Sequence, residues 1–251
     1  MKELILEKLK EIERRENVRI IHCAESGSRA WGFDSPDSDY DVRFIYVRPI
    51  EYYLRLDKTR DVIEWQLDDT LDINGWDIHK ALCLLHKSNP TLFEWNNSPI
   101  VYKTTPEWER LSSVMEDYFG PKSAMYHYLS IAKSNFRKYI GESTVKYKKY
   151  FYMLRPILAC EWIEKEGTPP PVRFEKLMEN YLDKEIEADV LRLLNLKINM
   201  PEIATGAPFE CLNAYLERKI AYFDGILEAM PSDKKQKWDE LNGIFLSLVK
   251  P

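Results

Sequence analysis

Between residues 18 and 47 the chain writes an apolar run, a turn of small residues, a polar loop and a second apolar run, and it plants two aspartates where the second run begins. Val18-Arg19-Ile20-Ile21-His22-Cys23-Ala24 and Val42-Arg43-Phe44-Ile45-Tyr46-Val47 are rich in β-branched and aromatic residues and are expected to be buried strands. The segment from Gly27 to Asp41 therefore joins two strands. Side chains in a strand alternate between faces, so Asp39 and Asp41 project together, roughly 7 Å apart along the backbone. Two carboxylates so placed repel one another unless a proton or a cation intervenes, and a hard divalent ion with oxygen ligands answers that demand. Magnesium fits, and nothing in the residues selects it over manganese.

The turn supplies the complementary half. Gly27 lets backbone approach a ligand without a Cβ, the Ser28 hydroxyl and the following amides can donate to phosphate oxygens, and Arg29 adds positive charge. Asp34 and Asp37 fall in a Ser/Pro/Asp-rich turn where local backbone hydrogen bonding accounts for them. A Gly-Ser pair or an Asp-x-Asp alone is usually a surface turn or a helix cap. In this order, flanked by strands, they point to a site for magnesium and a nucleotide.

The rest of the chain is compatible with an intracellular enzyme. Its 251 residues can bury a real core and suit two modest domains. The net charge of −5 gives no global basic field, so contact with a polynucleotide would have to be local. Cys23, Cys83, Cys160 and Cys211 are widely spaced without a C-x-x-C pair, which favours buried free thiols and a reducing cytoplasm over disulfides or zinc. His22, His79, His86 and His127 show no ligand spacing. No signal peptide or long uncharged run suggests export or a membrane partner.

Leu4, Ile5, Leu9 and Ile12 recur at helical spacing and predict an opening amphipathic helix. A short helical piece is expected after Pro49, then strands at 61–65 and 71–76 with Asp68-Asp69 as their turn. Asp77 is placed to cap a helix running to Lys87, and Asn89 to cap another that opens on Pro90. Beyond about residue 105 the periodicity is helical almost throughout, broken at Thr168-Pro169-Pro170-Pro171. The expected fold class is α+β, a small mixed β-sheet domain over 1–104 followed by an α-helical domain over 105–251.

The apolar strand, Gly27-Ser28, ten residues and then Asp39-x-Asp41 resemble the catalytic core of the DNA polymerase β nucleotidyltransferase superfamily. Gly27 to Gly32, Ser35 to Asp41, Gly75-Trp76-Asp77-Ile78-His79-Lys80-Ala81, Lys87 to Trp95 and Lys149 to Pro156 look more narrowly like the YcgL/RlaP-type predicted nucleotidyltransferases, whose name reflects a predicted RNA repair pathway. The resemblance spans roughly residues 20 to 160. It implies transfer of a nucleoside monophosphate from a nucleoside triphosphate to an acceptor hydroxyl, with pyrophosphate leaving and two magnesium ions assisting. RNA is one candidate acceptor, beside a small hydroxylated molecule or a protein side chain. A non-catalytic nucleotide-binding or antitoxin-like protein on the same fold is the alternative.

The resemblance also implies a third carboxylate on a neighbouring strand, for which the sequence offers Glu64, Asp72 and Asp77. Asp72, opening the strand that leads into Gly75-Trp76-Asp77, is favoured, while Asp77 is explained equally by capping. Lys148, Tyr152 and Arg155 share one helix face, and with Lys149 they are candidates to contact triphosphate, Arg155 through its planar fork. A solvated basic face is the competing reading.

Overall fold

Alternating burial along the early strands decides what packs where. The computed structural model describes residues 1–68, 70–140, 144–200, 204–234 and 236–250, so Asp69 of the expected turn lies outside the described residues. A five-stranded mixed sheet has the order β3-β4-β2-β1-β5, built from β1 (Arg19–Glu25), β2 (Tyr40–Val47), β3 (Val62–Asp68), β4 (Leu71–Asp77) and β5 (Val101–Thr104). β2 and β4 run parallel, and the other pairings are antiparallel.

On β2, Val42, Phe44 and Tyr46 face one side of the sheet, where they pack with Ile73 of β4 and with Ile5, Leu9 and Ile12 of helix α1 (Lys2–Glu16). Ile45 and Val47 face the other side. They join a core made with α4 (Ile78–His86), α5 (Pro90–Asn96), α6 (Pro106–Met115) and the last helix of the chain. Period two then puts Asp41 and Arg43 on the same side as Ile45. The caps are as the sequence suggests: Asp77 accepts from the His79 amide and Asn89 from the Thr91 amide, with Pro90 in the first helical turn.

The chain separates into two compact units. The first comprises Met1–Ala30, Asp39–Phe119 and Lys235–Pro251, and the second Trp31–Ser38 and Gly120–Lys234. This is not the division at 104/105. Helix α6 contributes Trp108, Leu111 and Met115 to the sheet's core, and the final helix α12 (Asp239–Val249) adds Leu241, Ile244 and Leu248 to the same core. The loop between Ser28 and Asp39 belongs largely to the second unit. There Phe33 stacks on Phe151 at 4.5 Å, and the Lys197 ammonium donates to the Ser35 hydroxyl at 2.8 Å.

The second unit is helical, with α7 (Pro121–Tyr139), α8 (Lys148–Glu166), α9 (Phe174–Tyr181), α10 (Glu187–Asn199) and α11 (Glu210–Ala229), besides a two-stranded ladder of β6 (Val145–Lys146) with β7 (Thr205–Gly206). Among the described residues no helix is long and apolar enough to cross a membrane. All four cysteines are free thiols; Cys23 and Cys160 are buried as expected of such residues, but Cys211 is exposed near the start of α11.

Candidate functional site

The site is assembled where β2 and β4 begin. Their parallel register sets Asp41 directly beside Asp72, so the favoured third carboxylate stands level with the second acid of the Asp-x-Asp pair. Between them lies Arg43. One terminal nitrogen of its guanidinium, Nη2, donates to Asp41 Oδ1 and to Asp72 Oδ2, each at 2.7 Å. The other, Nη1, donates to the backbone carbonyls of Val42 at 3.2 Å and Asp72 at 3.1 Å. The guanidinium thus bolts the two strands together and offsets part of the charge of the two acids.

Behind Asp41 the packing is tight. Gly27 opens the five-residue helix α2 (Gly27–Trp31) at φ 59°, in the left-handed region, and a Cβ there would lie 2.8 Å from the Asp41 carboxyl carbon. Glycine is thus required twice, by its conformation and by this approach. The Ser26 amide donates to the Asp41 carbonyl at 2.8 Å, and the Asp41 amide to Glu25 Oε1 at 2.7 Å. Glu25 is fully buried and also accepts from the Tyr102 hydroxyl; burial raises its pKa. Glu25 and Arg43 were not singled out by the sequence. The signal available was parity, since Arg43 is two residues from Asp41 and must share its face.

Asp39 is exposed just ahead of β2. Its carbonyl accepts from Arg29 Nε at 3.1 Å, and the Arg29 guanidinium lies over the Tyr40 ring at 3.8 Å, so Arg29 braces the loop. Among the described residues no three or more His, Cys, Asp or Glu side chains stand in the arrangement of a metal centre, so the expected trio of Asp39, Asp41 and Asp72 is not gathered as one. The donor chemistry still suits a hard divalent ion: carboxylate oxygens from two adjacent strands at one level, both partly open to solvent, with 31% and 51% of the side chains exposed.

Two expected participants stand elsewhere. Asp77 lies five residues beyond Asp72 on β4, roughly 17 Å along the strand. There it is buried, caps α4 and accepts from the Tyr53 hydroxyl at 3.0 Å; burial raises its pKa. It serves the fold and is corrected from the catalytic set. Glu64 is exposed on β3 opposite Asn74, two residue levels from Asp72.

Lys148, Lys149, Tyr152 and Arg155 are on α8, in the second unit. Arg155 is no solvated cation. It is 3% exposed, points Nε and Nη2 at the Val172 carbonyl at 3.4 Å, and lies over the Trp31 ring at 4.7 Å. A guanidinium buried against a carbonyl and an indole braces the helix, which corrects its expected part in a basic face. Lys149 lies over the rings of Tyr139 and Tyr152, at 4.7 and 4.9 Å.

A mixed sheet thus carries a glycine held against one acid and a second acid on the parallel neighbour. The chain belongs to RlaP, the RNA repair pathway DNA polymerase β family, whose model matches residues 1–247. It is 43% identical over 252 residues to the uncharacterized protein YcgL of Bacillus subtilis strain 168, covering all of this chain and 97% of that one. A solved nucleotidyltransferase-like protein from Exiguobacterium sibiricum 255-15 aligns with 88% of this chain and 73% of its own, at 12% identity and a TM-score of 0.31, too slight a likeness to argue from.

Proposed function

We propose that the protein transfers a nucleoside monophosphate from a nucleoside triphosphate to an acceptor hydroxyl. The observation that carries this reading is the pairing of Asp41 with Asp72 across parallel strands beside the turn at Gly27. Asp41 and Asp72 would hold the magnesium whose charge polarises the phosphoryl oxygens. Gly27 and Ser28 offer an amide and a hydroxyl to the β and γ phosphates. Asp72 takes the acceptor's proton as the new bond to the α-phosphorus forms, the bond between α-phosphorus and the bridging oxygen breaks, and pyrophosphate leaves with that electron pair. Glu25, bonded to the Asp41 amide, fixes where β2 begins and with it the direction of the acid.

An RNA end is the first acceptor to try, on the strength of the family's description. Nucleoside triphosphates labelled at the α-phosphate, supplied with magnesium and pooled RNA, small hydroxylated molecules and proteins, test the reading. Label is expected to appear in one acceptor class with the wild-type chain and to vanish with Asp41→Asn or Asp72→Asn. Undiminished transfer by the double variant would refute it, and nucleotide binding without transfer to any acceptor would favour a non-catalytic protein.

A further inference from the structure

Arg43 puts a single guanidinium nitrogen on one carboxylate oxygen of each of the two acids. We propose that Arg43 is a built-in competitor for a divalent ion, which keeps the acids closed to the bare cation. The inference rests on the reading above, in which Asp41 and Asp72 hold the cation. The geometry makes the competition direct: Nη2 is 2.7 Å from both Asp41 Oδ1 and Asp72 Oδ2, so an ion taking those oxygens must break two charge-assisted hydrogen bonds. The displaced group stays close, because Nη1 is held by the carbonyls of Val42 and Asp72, at 3.2 and 3.1 Å.

Burial gives the arrangement its direction. The Arg43 side chain is 17% exposed, against 31% for Asp41 and 51% for Asp72, so the cation of the protein lies beneath and the acids open toward solvent. Like charges this close repel strongly where water does not screen them. A divalent ion accompanied by the negative charge of a triphosphate offsets that repulsion, whereas the ion alone does not. Arg43 thereby couples the ion's entry to that of the nucleotide.

Titrating the full chain with manganese chloride alone, and reading free Mn²⁺ by electron paramagnetic resonance, measures this without any turnover. R43Q is expected to bind Mn²⁺ about tenfold more tightly than the wild type, about 1.4 kcal/mol. R43K, which keeps the charge but loses the planar fork that makes these four bonds, is expected to bind Mn²⁺ between the wild type and R43Q. Adding D41N/D72N to R43Q is expected to abolish the tightened site. R43M is the second neutral variant should R43Q fail to fold by circular dichroism. Equal or weaker Mn²⁺ binding by both neutral variants overturns the competition, and the assignment of the two acids as cation ligands survives that result if D41N/D72N abolishes wild-type binding. Tightening by R43K equal to that of R43Q overturns it as well. Mn²⁺ binding by every variant alike, or by none, overturns both.

Discussion

Asp72 and Asp77 lie on one strand and answer opposite demands, which makes them a paired test at the scale of single residues. Asp72→Asn is expected to leave stability within about 1 kcal/mol, since its ion pair with Arg43 is half exposed, while abolishing transfer. Asp77→Ala removes a cap and takes away the acceptor of the Tyr53 hydroxyl, which keeps its bond from the Arg48 amide; a loss of about 1–2 kcal/mol is expected with transfer retained. Urea unfolding and the label assay separate them, and the reverse pattern would exchange their roles. The sequence favoured Asp72 only by its place at the head of the strand, because each is an acid at one end of the same strand; the register with β2 is what puts Asp72 beside Asp41. The approach of Gly27 to Asp41 was foreshadowed because the Gly-Ser and Asp-x-Asp spacing is local, and the place of Arg43 between the acids was not because a charge within a strand reads as a mark of register. His22 carries a separate consequence. It stacks on Trp108 at 4.4 Å, and burial lowers its pKa to about 4. The unfolded chain takes a proton near pH 6.5 and the folded one only near pH 4, so stability falls as pH drops through that window. The gap is worth about 3 kcal/mol at 1.36 kcal/mol per pH unit. Denaturant midpoints measured from pH 7 to 4 should show this loss, and His22→Phe should flatten it; an unchanged slope in the variant would remove His22 from the account.

At the scale of elements, local chemistry was a good guide wherever an element shows a single face to the core. Helix α1 buries Ile5, Leu9 and Ile12, α4 and α5 begin at the expected caps, and β1 to β4 fall within a few residues of their predicted spans. Two failures share a cause in element length. The turn after β1 is itself a five-residue helix, and β5 is four residues of half-buried edge strand, both too short for periodicity to register. Helix α8 failed differently. From Tyr150 to Ile163 it is buried nearly all round, so its polar residues mark no outer face, and Arg155 is found inside. The final helix offers an element-scale test. Leu241 is 1% exposed in the core beneath the sheet, and Leu241→Ala is expected to cost about 2–5 kcal/mol. Thermal unfolding checks this, and a loss below about 1 kcal/mol would mean that α12 is not part of that core.

For the whole molecule, the change from mixed to helical periodicity near residue 105 signalled two parts but misplaced their edges. A composition shift records secondary structure, whereas a compact unit is defined by what packs together, and α6 and α12 pack on the sheet despite being helical. That the chain returns to its first unit at residue 235, and lends the loop 31–38 to its second, is a long-range fact no local pattern carries. The central claim concerns the whole chain acting on a triphosphate, and calorimetric titration with nucleoside triphosphates, with and without magnesium, tests it most directly. The account predicts binding that strengthens with magnesium in the wild type, with that strengthening lost in the Asp41→Asn/Asp72→Asn double variant; equal magnesium dependence in the two proteins would contradict it.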